Sequence, residues 1–501
     1  REASGDVVAK GSTIVVAAAA GRHERGRQFR RDLAMLMTSG SVLLLLALLM
    51  SLPLLTFIVT VRSRRWLARL SCKPLLAFLH PDLGIGGAER LVIDAAIAAQ
   101  RCGHAVVMFT SYHDEGRCFE ETRNGTLRVV VVGGWLPRAI GGRLIVACAT
   151  ARAIAAAVAM MLSQPNLETV VVDQVAASVP LLRACGVRTL FYCHFPDKLL
   201  ARRPTSSLLR VLKALYRLPF DAIEEACTGC AHTVFVNSEY TAEIYVNAFP
   251  VLRAVRRVLN LRPPAVLHPA VDVVSNPALP WAAPSKRQDV HGEAAAGADL
   301  VLLSINRFEQ KKDHRLAIEA FRHFRMETPE LAARVKLILA GGYDERLIEN
   351  VKCLQELRDL SRCYGLEAHI EFRCNVSNAE RRDLFQLAAA VVYTPSHEHF
   401  GIVPLEAMAA ARPVLAVNNG GPVESVRDGV TGWLRPATAR AFAEVYARLA
   451  QMATQQSDAL RQMGSAAREH VEANFSREAF GAKLDAYLVQ TKAGRLKAHA
   501  A

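Results

Sequence analysis

Aromatic side chains are scarce in this 501-residue chain, at 7% of positions, although its net charge is +14. That combination counts against a nucleic-acid binder, in which basic groups are interleaved with rings that stack on bases. A cysteine framework is missing too: the eleven cysteines are scattered and odd in number, which excludes a fully paired secreted scaffold and fits free thiols in a reducing compartment. Cys227 and Cys230 form a close pair, but a zinc site needs a second pair of matching spacing, so they read as buried thiols near a helix end. No G-x-G-x-x-G fingerprint of a dinucleotide site occurs. Disorder is excluded by the 51% apolar content and a mean hydropathy of +0.16. Length excludes a single core, which rarely organises more than about 300 residues.

The excess charge is concentrated. Residues 1–75 hold twelve Lys/Arg against four Asp/Glu, or +8, and residues 198–220 hold six with no acid, or +6, which leaves the remainder neutral. Within the first region Ser41 to Val61 runs for 21 residues without a charge, enough at about 1.5 Å per residue to cross a hydrocarbon core of about 30 Å. A cleaved signal would be shorter and would end in small residues; here Arg62, Arg64 and Arg65 follow. The reading is a basic tail over 1–40 and a transmembrane helix over 41–61. Basic residues balance on its two sides, five in each flank of twenty, so charge does not set its orientation.

Downstream, short apolar runs alternate with helical patterns. Strands are predicted at Leu75 to Leu79, Ala105 to Phe109, Arg128 to Val132, Thr169 to Asp173, Thr189 to Cys193 and Thr233 to Val236. After a proline-rich break they resume at Leu300 to Asn306, Val335 to Ala340, Ile370 to Arg373, Ala390 to Thr394 and Pro413 to Val417. Such alternation means an α/β fold with parallel sheets wrapped by helices. The organisation predicted is two facing Rossmann-like domains, 74–272 and 299–465, with a linker at 273–298 and a helix at 466–490 that crosses back. Open parallel sheets bind ligands beyond the carboxyl ends of their strands, which puts the site in the cleft.

Four motifs stand at those ends. In His80 to Arg90, Gly86 and Gly87 would let amides at a helix N-terminus approach a phosphate, although a plain glycine turn reads the same way. Tyr192 to Asp197 carries His194, and a lone histidine is more often structural. Asn306 to Asp313 offers the planar fork of Arg307 and the point charge of Lys312, a pairing suited to a diphosphate but also to a solvated turn. Ser396 to Glu406 places Glu398 in a loop and Glu406 in the first turn of a helix, so both carboxylates can face one ligand while amides around Gly401 approach phosphate oxygens.

Jointly these features resemble the retaining GT-B glycosyltransferases of family 4, and among them the dolichol-pathway alpha-1,3/alpha-1,6-mannosyltransferases, which add the second and third mannoses to the lipid-linked N-glycan precursor. The stretches HPDLGIGGAERLV, YCHFPD, FDAIEEACTGCAHTVFVNSEYTAEIY, LSINRFEQKKD and PSHEHFGIVPLEAMAAARPVLAVNNGGPVESV carry the resemblance, over about Pro74 to Leu488. It implies that the donor is GDP-mannose, with Arg307 and Lys312 on its diphosphate. Glu398 would face the mannose, amides from His399, Phe400, Gly401 and Ile402 would line sugar and phosphates, and Glu406 would hold the ribose. Gly86 and Gly87 would approach the donor phosphates, and His194 would sit by the transferred sugar. No cofactor or metal is implied. Two positions depart from the family: Asn306 stands where many relatives have Gly, and His397 where close relatives carry an amide.

The acceptor implied is a dolichol-linked oligosaccharide. Consistent with that, Lys198, Arg202, Arg203, Arg210, Lys213 and Arg217 form an acid-free stretch in which basic residues lie opposite Leu208, Leu212 and Leu215, a pattern suited to a membrane surface and equally to a solvated helix face. The implied location is the endoplasmic reticulum membrane with catalytic domains in the cytosol, and the implied partners are membrane lipid and other enzymes of the pathway, with no nucleic acid. Donor base and acceptor length are not set by spacing, so another nucleotide-sugar transferase with a different lipid-linked acceptor stays open. A non-catalytic sugar binder would have no reason to keep Arg307, Lys312, Glu398 and Glu406 together.

Overall fold

In the computed structural model, residues 53–70, 72–200, 207–273, 300–455 and 457–498 are described. The tail 1–40, residues 41–52 of the predicted span, Arg202, Arg203 and nearly all of the predicted linker lie outside them. The chain divides into a unit of residues 1–71, of which 53–70 is helical, and a body of residues 72–501.

The apolar runs become two all-parallel sheets. The first contains β1 (Leu75–His80), β2 (Ala105–Thr110), β3 (Val129–Val131), β4 (Leu167–Asp173), β5 (Arg188–Cys193), β6 (Thr233–Val236) and β7 (Ala265–Val266), in the order β3-β2-β1-β4-β5-β6-β7. The second contains β8 (Leu300–Ile305), β9 (Val335–Gly341), β10 (Ile370–Cys374), β11 (Ala390–Tyr393), β12 (Val414–Val417) and β13 (Gly432–Arg435), in the order β10-β9-β8-β11-β12-β13. Every residue of β1, β5, β8 and β11 is buried, as strands covered on both faces must be, which is why they read as continuous apolar runs. Chain order reverses between β1 and β4 in one sheet and between β8 and β11 in the other. Those switch points open the crevices in which doubly wound sheets hold ligands.

The chain ends by returning to the first lobe. Helix Ser457–Phe475 packs with helix Ile402–Ala409 in the second lobe, burying Ala467, Val471 and Phe475. The sequence reading started the crossing helix at 466; instead the crossing falls at Ser476, whose hydroxyl accepts a bond from the Ala479 amide. Helix Arg477–Ala498 then lies on helix Gly87–Arg101 and buries Phe480, Leu484 and Leu488 in the first lobe's core. Arg477 pairs with Asp94 at 2.8 Å and Asp272 at 2.7 Å.

Candidate active site

In the first lobe, strand register assembles a buried charged cluster. Leu79 of β1 lies opposite Val172 of β4, and Asp173 lies opposite Tyr192 of β5, so His80, Asp173 and His194 meet at the carboxyl ends of the strands. Asp173 is 1% exposed and reaches both rings: Oδ2 lies 2.6 Å from His80 Nδ1, and Oδ1 lies 2.7 Å from His194 Nε2. Burial opposes a charge on His80, but Asp173 and Glu89 outweigh it and push its pKa up to about 9. Burial would raise the Asp173 carboxyl, yet His194 and then His80 hold it well below the usual carboxylate range. His194 is partly open to the cleft and packs beside Tyr192, with ring centroids 4.8 Å apart. Gly86 is extended and precedes a helix that has no side-chain cap. Among the described residues, a Cβ at Gly87 would meet nothing within 4 Å.

In the second lobe the loops after β8 and β11 meet. Lys312 Nζ lies 2.5 Å from Glu398 Oε2, and Thr394 Oγ1 donates to the Lys312 carbonyl at 2.8 Å. Arg307 is 63% exposed and pairs with Glu309 at 2.9 Å. Glycines press the neighbouring turns onto these loops. A Cβ at Gly341 would overlap the Asn306 carbonyl, one at Gly420 would come 2.6 Å from the Glu398 carbonyl, and one at Gly421 would overlap the Phe400 main chain. Gly421 donates to the Glu398 carbonyl at 2.9 Å, and Gly401 adopts φ 83 at the start of helix Ile402–Ala409, a conformation that favours glycine. Ile402 is part-exposed there, whereas Phe400 is buried against His268. Glu406, which the sequence reading aimed at a ribose, pairs with Arg381; burial raises its pKa while Arg381 opposes that rise.

Contacts between the lobes bring the two halves together. His399 stacks on Phe195, the neighbour of His194, with centroids 3.9 Å apart. The His399 carbonyl accepts from Ser238 Oγ and Thr241 Oγ1. Glu424 accepts the Glu239 and Tyr240 amides at 2.8 and 3.0 Å and lies 3.0 Å from His268 Nε2. The loop carrying Glu398 to Gly401 therefore faces the loop carrying His194. Sequence reasoning missed His80, Asp173, Gly341, Gly420, Gly421 and Arg381. The available signals are polar residues closing two apolar strands and Gly-Gly pairs at or just past strand ends; nothing comparable marks Arg381.

The basic stretch needs a correction. Arg217 is 7% exposed and pairs with Asp197 and Asp221, both at 2.8 Å, so it does not belong to a membrane-facing surface. On helix Ser207–Gly229 the outward residues include Val211, Leu212, Leu215 and Leu218, together with Arg210, while Lys213 is half-buried. Lys198 Nζ lies 4.8 Å from the centroid of the Phe249 ring.

Two cations and a carboxylate at one switch point, facing a carboxylate-held imidazole at the other, can stabilise a departing anion beside an electron-poor carbon. The comparisons with known proteins agree with such chemistry. The family described as glycosyl transferases group 1 matches residues 286–470, and Glycosyltransferase Family 4 matches residues 85–268. The alpha-1,3/1,6-mannosyltransferase ALG2 of Homo sapiens is 41% identical over 424 residues, covering 83% of this chain and 96% of that protein. The ALG2 of Rhizomucor pusillus is 40% identical over 437 residues, covering 83% and 91%. Among solved structures, sucrose-phosphate synthase from Thermosynechococcus elongatus aligns with a TM-score of 0.60 at 19% identity, covering 84% of this chain and all of that one. The catalytic domain of starch synthase IV from Arabidopsis thaliana aligns with 0.61 at 14%, covering 83% and 97%. These structural likenesses establish the two-lobed GT-B fold.

Proposed function

Because this chain belongs to the alpha-1,3/1,6-mannosyltransferase family of GT-B glycosyltransferases, we propose that it moves mannose from GDP-mannose to a dolichol-diphosphate-linked oligosaccharide. The first transfer makes an α-1,3 linkage on the acceptor bearing one mannose, and the second makes an α-1,6 linkage on the product. The observation that carries this reading is the Lys312–Glu398 pair at one switch point facing His194, held by Asp173, at the other.

An acceptor hydroxyl attacks the anomeric carbon through an oxocarbenium-like transition state. The bond from that carbon to the phosphate oxygen breaks, the bond to the acceptor oxygen forms, and the acceptor proton passes to the departing phosphate on the same face, which retains configuration. Arg307 and Lys312 neutralise the departing GDP, a role that a metal ion can fill elsewhere. Once Lys312 turns to the phosphates, Glu398 accepts from mannose hydroxyls, and amides from His399 to Ile402 line sugar and phosphate. Glu406 exchanges Arg381 for the ribose, and Gly86 and Gly87 admit the phosphates from the first lobe.

Incubating the full chain in detergent with GDP-mannose and lipid-linked chitobiose bearing one mannose should extend the acceptor by two mannoses in sequence. Extension with a UDP-sugar and none with GDP-mannose would overturn the donor assignment. For location we propose the endoplasmic reticulum membrane with both lobes in the cytosol, where nucleotide sugars are made. Asn124, Asn375 and Asn474 begin glycosylation sequons, so glycosidase treatment should leave the mass unchanged; a downward shift would sink this topology.

A further inference from the structure

A cavity of about 310 Å³ opens in the first lobe between helices Glu239–Ala248 and Pro250–Val258, lined by none of the residues placed in the active site. Its walls combine apolar Phe249, Leu252 and Leu261 with Arg253, Arg256 and Arg257, and no carboxylate is among the described residues that line it. The arginines are spaced three and four apart and so share one helix face. From Pro250 to Pro264 the chain carries four arginines and no acid.

Among the described residues, two polar atoms of the lining side chains are buried without a hydrogen-bond partner, Tyr245 Oη and Arg256 Nη1, and Tyr245 is 1% exposed. The Arg256 guanidinium lies over the Tyr245 ring, 5.3 Å from its centroid; buried donors in native proteins are normally satisfied, so an unpartnered phenol oxygen and guanidinium nitrogen on residues lining one cavity point to a ligand rich in acceptor oxygens. Planar guanidinium donors favour phosphate, whereas the apolar wall favours a hydrocarbon chain attached to it. The cavity also adjoins the active site along the chain. Lys198 lies over the Phe249 ring and only four residues past His194, a separation of at most about 14 Å of backbone. Helix Ser207–Gly229, with Leu212, Leu215 and Leu218 outward, packs on the cavity wall, where Glu225 accepts the Leu252 amide at 2.8 Å.

We propose that this cavity binds the lipid-diphosphate end of the acceptor while its sugar end reaches His194. Arg253, Arg256 and Arg257 meet the phosphate oxygens, the Tyr245 hydroxyl donates to one of them, and the first lipid carbons lie against Phe249, Leu252 and Leu261. The inference rests on the proposed lipid-diphosphate acceptor, and its test separates the two.

The full chain, in detergent free of phospholipid, is given GDP-mannose and the same oligosaccharide on two carriers, a polyprenyl diphosphate and a neutral alkyl glycoside. The quantity read is the ratio of their KM values. Arg253 and Arg257 are both exposed, so the double variant Arg253→Glu, Arg257→Glu leaves the core intact; it should erase about a hundredfold of the preference for the diphosphate carrier. Tyr245→Phe removes one hydroxyl and should erase about tenfold of that preference. A ratio that both variants leave at the unaltered value overturns the site alone. Transfer to neither carrier by the unaltered chain overturns the proposed function and this site with it.

Discussion

The two lobes share a parallel topology but hold their functional side chains by different means. In the second lobe, main chain presses on main chain: Gly341, Gly420 and Gly421 stand where a Cβ would meet the backbone of Asn306, Glu398 or Phe400. In the first lobe, a buried carboxylate holds two histidines. Close backbone contact fixes a loop whatever the pH, whereas a charge cluster ties geometry to protonation. In the proposed reaction the glycine-clamped lobe serves a nucleotide sugar of constant shape, and the charge-held lobe serves an acceptor that grows between two transfers.

The largest effect expected from breaking this contrast is at Gly421. A Cβ there overlaps Phe400 Cα, C and O, so Gly421→Ala must displace the loop that carries Glu398 while leaving the Glu398 carboxylate chemically unaltered. Transfer kinetics should fall by about 10²- to 10³-fold, as far as for Glu398→Ala, because misplacing a preorganised group loses what deleting it loses. Activity in Gly421→Ala close to that of the unaltered chain would refute the backbone account of this lobe.

Asp173→Asn tests the other lobe. Removing one partner from a buried charge cluster should cost about 3–5 kcal/mol in chemical denaturation. The pH dependence gives the sharper test. His80 titrates at about 9 in the fold against 6.5 in the unfolded chain. Its contribution to stability is therefore fully present below about pH 6.5 and is lost as pH rises through about 9. Asp173→Asn should flatten stability across that window. The same slope in variant and unaltered chain would mean that Asp173 does not hold the proton on His80.

Much of this was legible before the structure. Strands buried on both faces are apolar runs, so LLAFLH and LVLLSI announced β1 and β8, and ligand chemistry gathers at strand ends, so the motifs there pointed to the cleft. What escaped depends on strand order. His80 and Asp173 lie 93 residues apart, and only the adjacency of β1 and β4 makes them partners. Gly420 and Gly421 look like an ordinary turn until β12 is set beside β11, bringing them against Glu398 and Phe400. Arg217 depends on neighbours just outside its stretch: residues 198–220 hold no acid, and Asp197 and Asp221, which flank them, are the two acids that pair with it.

A smaller effect is expected at Glu406, where the two lobes' devices coincide in one residue, a half-buried carboxylate paired with Arg381 within the glycine-clamped lobe. Glu406→Gln should raise the KM for GDP-mannose by about tenfold, the loss of one charge-assisted hydrogen bond, with kcat nearly unchanged because the ribose lies away from the reacting carbon. A fall in kcat with KM unmoved would place Glu406 at the chemistry instead.

The smallest effect separates ligand approach from folding. Unlike Gly421, Gly87 has nothing among the described residues within 4 Å of where a Cβ would stand, and it begins helix Gly87–Arg101, where alanine is the better helix former by up to about 1 kcal/mol. Gly87→Ala should therefore leave the melting temperature unchanged or raise it slightly. If phosphate oxygens approach these amides in the complex, the added methyl lies in their path and the KM for GDP-mannose should rise severalfold. Stability and donor affinity then move in opposite directions, a pattern that lost packing cannot produce. Should the KM stay level while the melting temperature rises, Gly87 is a plain turn glycine, and the donor phosphates are held by the second lobe's Arg307 and Lys312.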